Sequence, residues 1–253
     1  MYERELETIC RVAHEAGALV MQYYRANAYS VETKSDSSPV TDADRASDAL
    51  IRKRLSEEFP GYAILSEETA DSPERLSREY CFIVDPIDGT KEFIGRNGEF
   101  SINIALCRAG SIVAGAVCVP VRDELYFASA GNGAYMKVNG TTDRIRVSSR
   151  AGNPRIAVSR SHRTSQEDAL IEKLCAEETI VAGSSYKGCL VAKGAADIYC
   201  RCGSTMEWDA APLQIIVEEA GGIMRHLDGR VPRYNKPDPV HGPYAASNGR
   251  IRP

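Results

Sequence analysis

The sequence predicts a mixed α/β chain of two halves, divided near residue 140. Three observations carry that expectation. Two helical patterns open the chain, four strand-like apolar runs then follow one another without a helix between them, and past residue 150 strand and helix patterns alternate. Consecutive strands joined by short turns imply a largely antiparallel sheet behind the two helices, an α+β arrangement for residues 1–140. Alternation implies α/β layering for residues 141–253. No internal repeat or low-complexity linker separates the halves.

In chain order, the first helix is read from Ile9, Val12, Ala13, Ala16, Val20 and Tyr23, which recur at helical spacing. The second opens at Ser38-Pro39-Val40-Thr41-Asp42-Ala43-Asp44 and continues one apolar face through Ile51 and Leu55; one of its acids can cap the helix and the other is spare. After a short apolar run, Tyr62 to Leu65, the four strand-like runs are Cys81 to Asp85, Ser101 to Cys107, Ile112 to Val119 and Glu124 to Phe127. In the second half, Arg155 to Val158 reads as strand, Gln166 to Cys175 as helix and the region of Ile180 as a short strand. A helix from Ser185, the strand Asp197 to Cys200 and a helix from Asp209 complete the alternation.

Composition is that of a soluble enzyme. The 253 residues are 43% hydrophobic, enough for a full core. The formal net charge of -4, with acids and bases intermixed, gives no polycationic footprint for nucleic-acid polymers. No apolar run approaches the ~20 residues of a membrane span, and the first residues lack a charged segment followed by an apolar signal core, so a cytoplasmic location is expected. The eight cysteines fit that compartment as free thiols: Cys81, Cys107 and Cys118 in strand-like runs, Cys10, Cys175 and Cys189 in helical ones, Cys200 and Cys202 in a strand and turn. No C-x-x-C pair suggests zinc.

The chemistry concentrates where the run Cys81-Phe82-Ile83-Val84 stops. Asp85-Pro86-Ile87-Asp88-Gly89-Thr90 sets two carboxylates three residues apart at a strand end, which is how hard oxygens are presented to a divalent cation. Gly89 lets the backbone approach a phosphate closely, and Thr90 adds a hydroxyl that can orient water. Leu65-Ser66-Glu67-Glu68 puts two acids at another strand end, of which one can face the side of Asp85. Trp208-Asp209 precedes the helical pattern Leu213, Ile216, Val217, Ala220 and the terminator Gly221-Gly222, so Asp209 stands where an N-cap belongs and could serve as cap or as ligand.

These segments together resemble the inositol monophosphatase superfamily: Ser38-Pro39-Val40-Thr41 with Asp44, Ser66-Glu67-Glu68, Asp85 to Thr90, and Trp208-Asp209 with Gly221-Gly222, in matching order and spacing. Lys91-Glu92-Phe93-Ile94 and Arg96-Asn97-Gly98-Glu99-Phe100 resemble its 3'(2'),5'-bisphosphate nucleotidase branch, where inositol phosphatases typically carry T-N-F. The resemblance spans about residues 5–248 and implies the layered αβαβα sandwich of the sugar-phosphatase fold, with the site between the halves.

It further implies two Mg²⁺ ions, and a weaker third. Glu67, Asp85 and the Ile87 carbonyl would hold the first; Asp85, Asp88 and Asp209 would hold the second. Asp44 and Thr90 would polarise the nucleophilic water, with no phosphoenzyme. Gly89, Thr90, Asp209, Ser184, Lys187, Arg201 and His162 would meet the substrate, Ser184 and Lys187 at its second phosphate. The implied reaction is removal of the 3'-phosphate of adenosine 3',5'-bisphosphate, a by-product of sulfur assimilation, with 3'-phosphoadenosine 5'-phosphosulfate as a further substrate. Inhibition by Li⁺ and a monomer or homodimer are implied as well. The alternatives are an inositol or sugar monophosphatase and a non-catalytic protein binding a phosphorylated ligand, RNA or a partner. One departure stands out: the branch pattern R-x-G-P-T-x-x-W-D becomes Arg201-Cys202-Gly203-Ser204-Thr205-Met206-Glu207-Trp208-Asp209, and Ser204 in place of Pro loosens that loop.

Overall fold

The computed structural model describes residues 2–27, 29–34, 39–161 and 163–253. The chain begins with α1 (Glu3–Ala26), the short strands β1 (Val31–Thr33) and β2 (Pro39–Thr41), α2 (Asp42–Glu58), β3 (Ala63–Ser66), β4 (Tyr80–Asp88) and the short α3 (Thr90–Ile94). Five strands follow: β5 (Ser101–Arg108), β6 (Ser111–Val119), β7 (Glu124–Ser129), β8 (Gly133–Val138) and β9 (Thr141–Ile145). The rest is β10 (Arg155–Ser159), α4 (Ser165–Lys173), β11 (Glu178–Ala182), α5 (Tyr186–Ala192), β12 (Ile198–Arg201), β13 (Thr205–Met206), α6 (Glu207–Glu219), β14 (Ile223–His226), β15 (Val240–His241) and β16 (Tyr244–Ser247).

Strands β3 to β9 form one seven-stranded sheet in sequence order, antiparallel except for the β3–β4 pair. Its last strand ends at Ile145, so residue 140 falls in the β8–β9 turn. The second sheet has the order β11-β10-β12-β16-β14, parallel from β11 to β12 and antiparallel beyond.

Side-chain alternation decides the layers. In β4, Phe82 and Val84 face Ile9, Val12, Ile51 and Leu55 of α1 and α2, whereas Cys81 and Ile83 face the core shared with α5 and α6. A strand covered on both faces reads as an unbroken apolar run, as this one does. Helices α5 and α6 in turn cover Ala157, Tyr199 and Ala246 of the second sheet, and the far side of that sheet (Ile156, Val158, Ile198, Cys200) meets Leu170 and Ile171 of α4. The result is the αβαβα sandwich that the resemblance implies. Because α6 lies between two sheets it is apolar around most of its circumference. Gly188 lets α5 approach it, since a Cβ there would stand 2.7 Å from Leu213 Cδ2.

Most expected elements appear within a residue or two. Cys175 is a correction: α4 ends at Lys173, and Cys175 is exposed with a positive φ of 49°. Cys81, Cys107, Cys118, Cys189 and Cys200 are buried, whereas Cys10 and Cys202 are half-buried.

Asp197, at the entry to β12, ties the second half together. It accepts from the Arg155 backbone N–H (2.7 Å), the Arg155 guanidinium (2.9 Å) and Ser148 Oγ. Burial alone would raise its carboxyl; the bonds from Arg155 and Ser148 outweigh burial and hold it below the usual range. Asp197→Asn is therefore expected to lower unfolding free energy by about 2 kcal/mol. The deficit, read from urea denaturation, should be present at neutral pH and shrink as pH falls below the unfolded carboxylate's pKa, because the depressed carboxyl contributes only while ionised. An equal deficit at acid pH would refute the charge-based account.

Candidate active site

The site begins with a fault in the β4–β5 ladder. Asp85 pairs with Asn103 and Asp88 with Ser101, so the strand bulges between the two acids. Pro86 within the bulge has no N–H to leave unsatisfied. Asp85 Oδ1 accepts the Ile87 N–H at 3.1 Å, and Ser47 Oγ of α2 donates to the Pro86 carbonyl at 2.9 Å. At Gly89 the backbone turns into α3 with φ +89°, a conformation that disfavours side chains.

A cleft of about 270 Å³ opens over this bulge, between the two halves of the chain. Glu67, Asp85, Ile87, Asp88, Gly89, Thr90, Ser184, Lys187, Arg201 and Asp209 all line it. Of the remaining expected residues, Asp44 stands behind Thr90, whose Oγ1 donates to Asp44 Oδ1 at 3.2 Å. His162 and Ser38 lie outside the described residues.

One carboxylate oxygen from each of Asp85, Asp88 and Asp209 lies within 4.8 Å of the others. Burial, then repulsion from Glu67, Asp88 and Asp209, pushes the Asp85 carboxyl well above its usual value. Burial and Asp88 push Asp209 up to about 7. Such a cluster of hard anionic oxygens could hold a metal ion, whose charge would relieve the repulsion. Each of these carboxylates is also held from behind. Asp88 Oδ2 accepts from the Ser185 N–H and Oγ, both at 2.6 Å, and from Asn103 Nδ2 at 3.3 Å.

Asp209 is the third residue of α6 and not its N-cap. Its Oδ2 reaches back to the Met206 N–H (2.9 Å) and accepts from Thr205 Oγ1, so it caps with one oxygen and has the other for a ligand. The same economy appears in α2. Thr41 is the N-cap there, and Asp44 completes a capping box through Oδ2 while Oδ1 serves Thr90. Asp42 is spent on Ser30.

Glu67 and Glu68 both pair with Lys34, at 2.7 and 2.6 Å. Burial raises the Glu67 carboxyl, and Lys34 opposes that shift. Only Glu67 of the two lines the cleft.

The opposite wall carries cations. Lys187 is 5% exposed, and its Nζ donates to the Ser184 carbonyl at 2.7 Å and lies over the Tyr199 ring. Burial lowers its pKa, and among the described residues no carboxylate pairs with it. Arg201 Nε is buried and has no hydrogen-bond partner among the described residues. The Ser185 N–H on this wall donates to Asp88 Oδ2.

The sequence matches the Inositol monophosphatase family over residues 1–252. This chain belongs to that family. Among its relatives is the 3'(2'),5'-bisphosphate nucleotidase CysQ of Salmonella typhimurium, 39% identical over 231 residues, covering 90% of this chain and 93% of that protein. The Escherichia coli K12 protein of the same name is 38% identical over 227 residues, covering 89% and 92%. The crystal structure of CysQ from Bacteroides thetaiotaomicron, described as a bacterial member of the inositol monophosphatase family, superposes with a TM-score of 0.85 at 36% identity and covers 99% of both chains. A Thermotoga maritima inositol monophosphatase gives a TM-score of 0.84 at 28% identity, covering 98% and 93%.

For this inositol monophosphatase family member, several residues at the site went unread in the sequence. Lys34, Asn103 and Tyr199 carry no motif of their own: Tyr199 lines the cleft, and Lys34 and Asn103 bond Glu67 and Asp88 in it. Glu92 was visible only as part of Lys91-Glu92-Phe93. Folding buries it, with Oε1 accepting from Ser161 Oγ at 2.6 Å across the two halves, while Phe93 packs on Tyr24 and Phe100 and Lys91 stays exposed.

Proposed function

We propose that this chain is a Mg²⁺-dependent phosphatase that hydrolyses the 3'-phosphate of adenosine 3',5'-bisphosphate to AMP and phosphate, in the cytoplasm. The observation that carries the nucleotide reading is Lys187: a buried cation lining the same cleft as the carboxylate cluster, with no carboxylate paired to it among the described residues and only longer-range attraction from Asp88, Glu92 and Glu167. A monophosphate engaged by the cluster would leave it unpaired. A second phosphate, with help from Arg201 and Ser184, would satisfy it.

Asp85, Asp88, Asp209 and Glu67, with the Ile87 carbonyl, would hold two Mg²⁺ ions, which when bound neutralise phosphoryl charge and lower the pKa of water. The residues themselves do the rest. Thr90 donates to Asp44, so its oxygen is left to accept a proton from the attacking water. Burial raises the Asp44 carboxyl, which fits it to take up the proton passed through Thr90. The ladder fault keeps Asp85 and Asp88 aimed into the cleft, and Asp209 brings the second half to the same point.

The test is phosphate release from adenosine 3',5'-bisphosphate and from inositol 1-phosphate, side by side, with Mg²⁺, with EDTA, and with Li⁺ added to the Mg²⁺ assay. Strong preference for the nucleotide, loss in EDTA and inhibition by Li⁺ are expected. Preference for inositol 1-phosphate would overturn the substrate assignment.

A further inference from the structure

We propose that Asp48 is a positioning residue that sets Glu67 for metal binding, an inference that rests on the metal-site reading above. Asp48 lies one turn beyond Asp44 on α2 and is buried outside the cleft. Its Oδ1 accepts from Ser66 Oγ at 2.5 Å and its Oδ2 from Thr69 Oγ1 at 2.8 Å. Ser66 and Thr69 flank Glu67-Glu68, so a single carboxylate closes that turn from both sides. The Thr69 hydroxyl is itself fixed as a donor toward Asp48, because Arg52 Nη1 donates to it at 2.7 Å.

The turn needs such a clamp. Past the end of β3 its ladder contact is the Glu67 N–H to the Val84 carbonyl at 3.2 Å, while Asp85 and Asp88 repel the Glu67 carboxylate and Lys34 draws it toward β1. Without Asp48, those forces would move Glu67 off the cluster. Asp48 also completes a pattern on α2. Asp44, Ser47 and Asp48 share one helix face and hold, in turn, Thr90, the Pro86 carbonyl in the bulge, and the Glu67 turn. One helix face thus sets three separate pieces of the site.

The test uses metal-stripped protein titrated with Mg²⁺, followed by calorimetry and by fluorescence of Trp208, the single tryptophan and the neighbour of Asp209. Asp48→Asn is expected to weaken Mg²⁺ binding about 10- to 100-fold, the usual range for groups that orient metal ligands. At saturating Mg²⁺, KM for the nucleotide should stay near wild type. The Ser66→Ala/Thr69→Val double variant should show the same loss, and adding Asp48→Asn to it should cost nothing further, since the three act as a unit. The double variant also stands in for Asp48→Asn if that protein does not fold. Unchanged Mg²⁺ affinity in these variants, or additive losses, would overturn the proposal and leave the metal site standing. Absence of Mg²⁺ binding by the wild type would overturn both.

Discussion

Asp85→Asn is expected to reduce turnover by at least about a hundredfold while raising the melting temperature of the metal-free protein, and both effects have one cause. Asp85 is buried against Glu67, Asp88 and Asp209. Its raised carboxyl marks a group whose ionisation the folded, metal-free protein resists. A raised acid costs stability above the unfolded pKa, increasingly so as pH rises, and that cost is absent at low pH. Asparagine removes the charge and keeps an oxygen for the Ile87 N–H, so the metal-free variant should melt a few °C higher at neutral pH, as ~1 kcal/mol does for a chain of this size. Wild type should gain stability on addition of Mg²⁺, and the variant should gain much less. Melting curves in EDTA and in Mg²⁺, with turnover on the same preparations, check this. A variant with near-normal turnover would rule out Asp85 as a bridging ligand.

Lys187→Met tests the other wall. Truncating one partner of a buried charge-assisted contact costs 2 kcal/mol or more, so kcat/KM for adenosine 3',5'-bisphosphate should fall at least about thirtyfold. For a substrate with a single phosphate the loss should be within a few-fold, because the Lys187 contact is proposed for the second phosphate. Methionine also fills the volume beside Tyr199 without a buried, unpaired charge, so the fold should tolerate it. Equal losses on both substrates would place Lys187 at the scissile phosphate or in the fold, and would remove the observation on which the nucleotide reading rests.

Much of the site was legible because it is written in contiguous motifs. Asp85, Asp88, Gly89 and Thr90 occupy one bulge and its turn, and the apolar run before them announces a strand buried on both faces. Asp209 was legible as a helix-start acid, although its position three residues into α6 was not. Capping geometry depends on whether Met206 or Asp209 leaves the helix, and both satisfy the same apolar pattern. The pairing of Glu67 and Glu68 with Lys34 was out of reach: the sequence shows that two acids end a strand, but β1 and its cation arrive from more than 30 residues away.

By itself, the sequence determined the order of the layers' components and the residue types at the site. Apolar periodicity follows from which faces are covered, and motif spacing follows from local backbone geometry, so both survive in one dimension. Tertiary structure decided how each polar group is used. Ser185 takes its hydroxyl to Asp88, Asp48 spends its charge on Ser66 and Thr69, and Lys187 is buried with its Nζ on the Ser184 carbonyl and no paired carboxylate among the described residues. A hydrogen bond is short and directional, and its partner is set by how two sheets and their helices stack. That stacking is where a family member with common metal ligands acquires its own substrate wall.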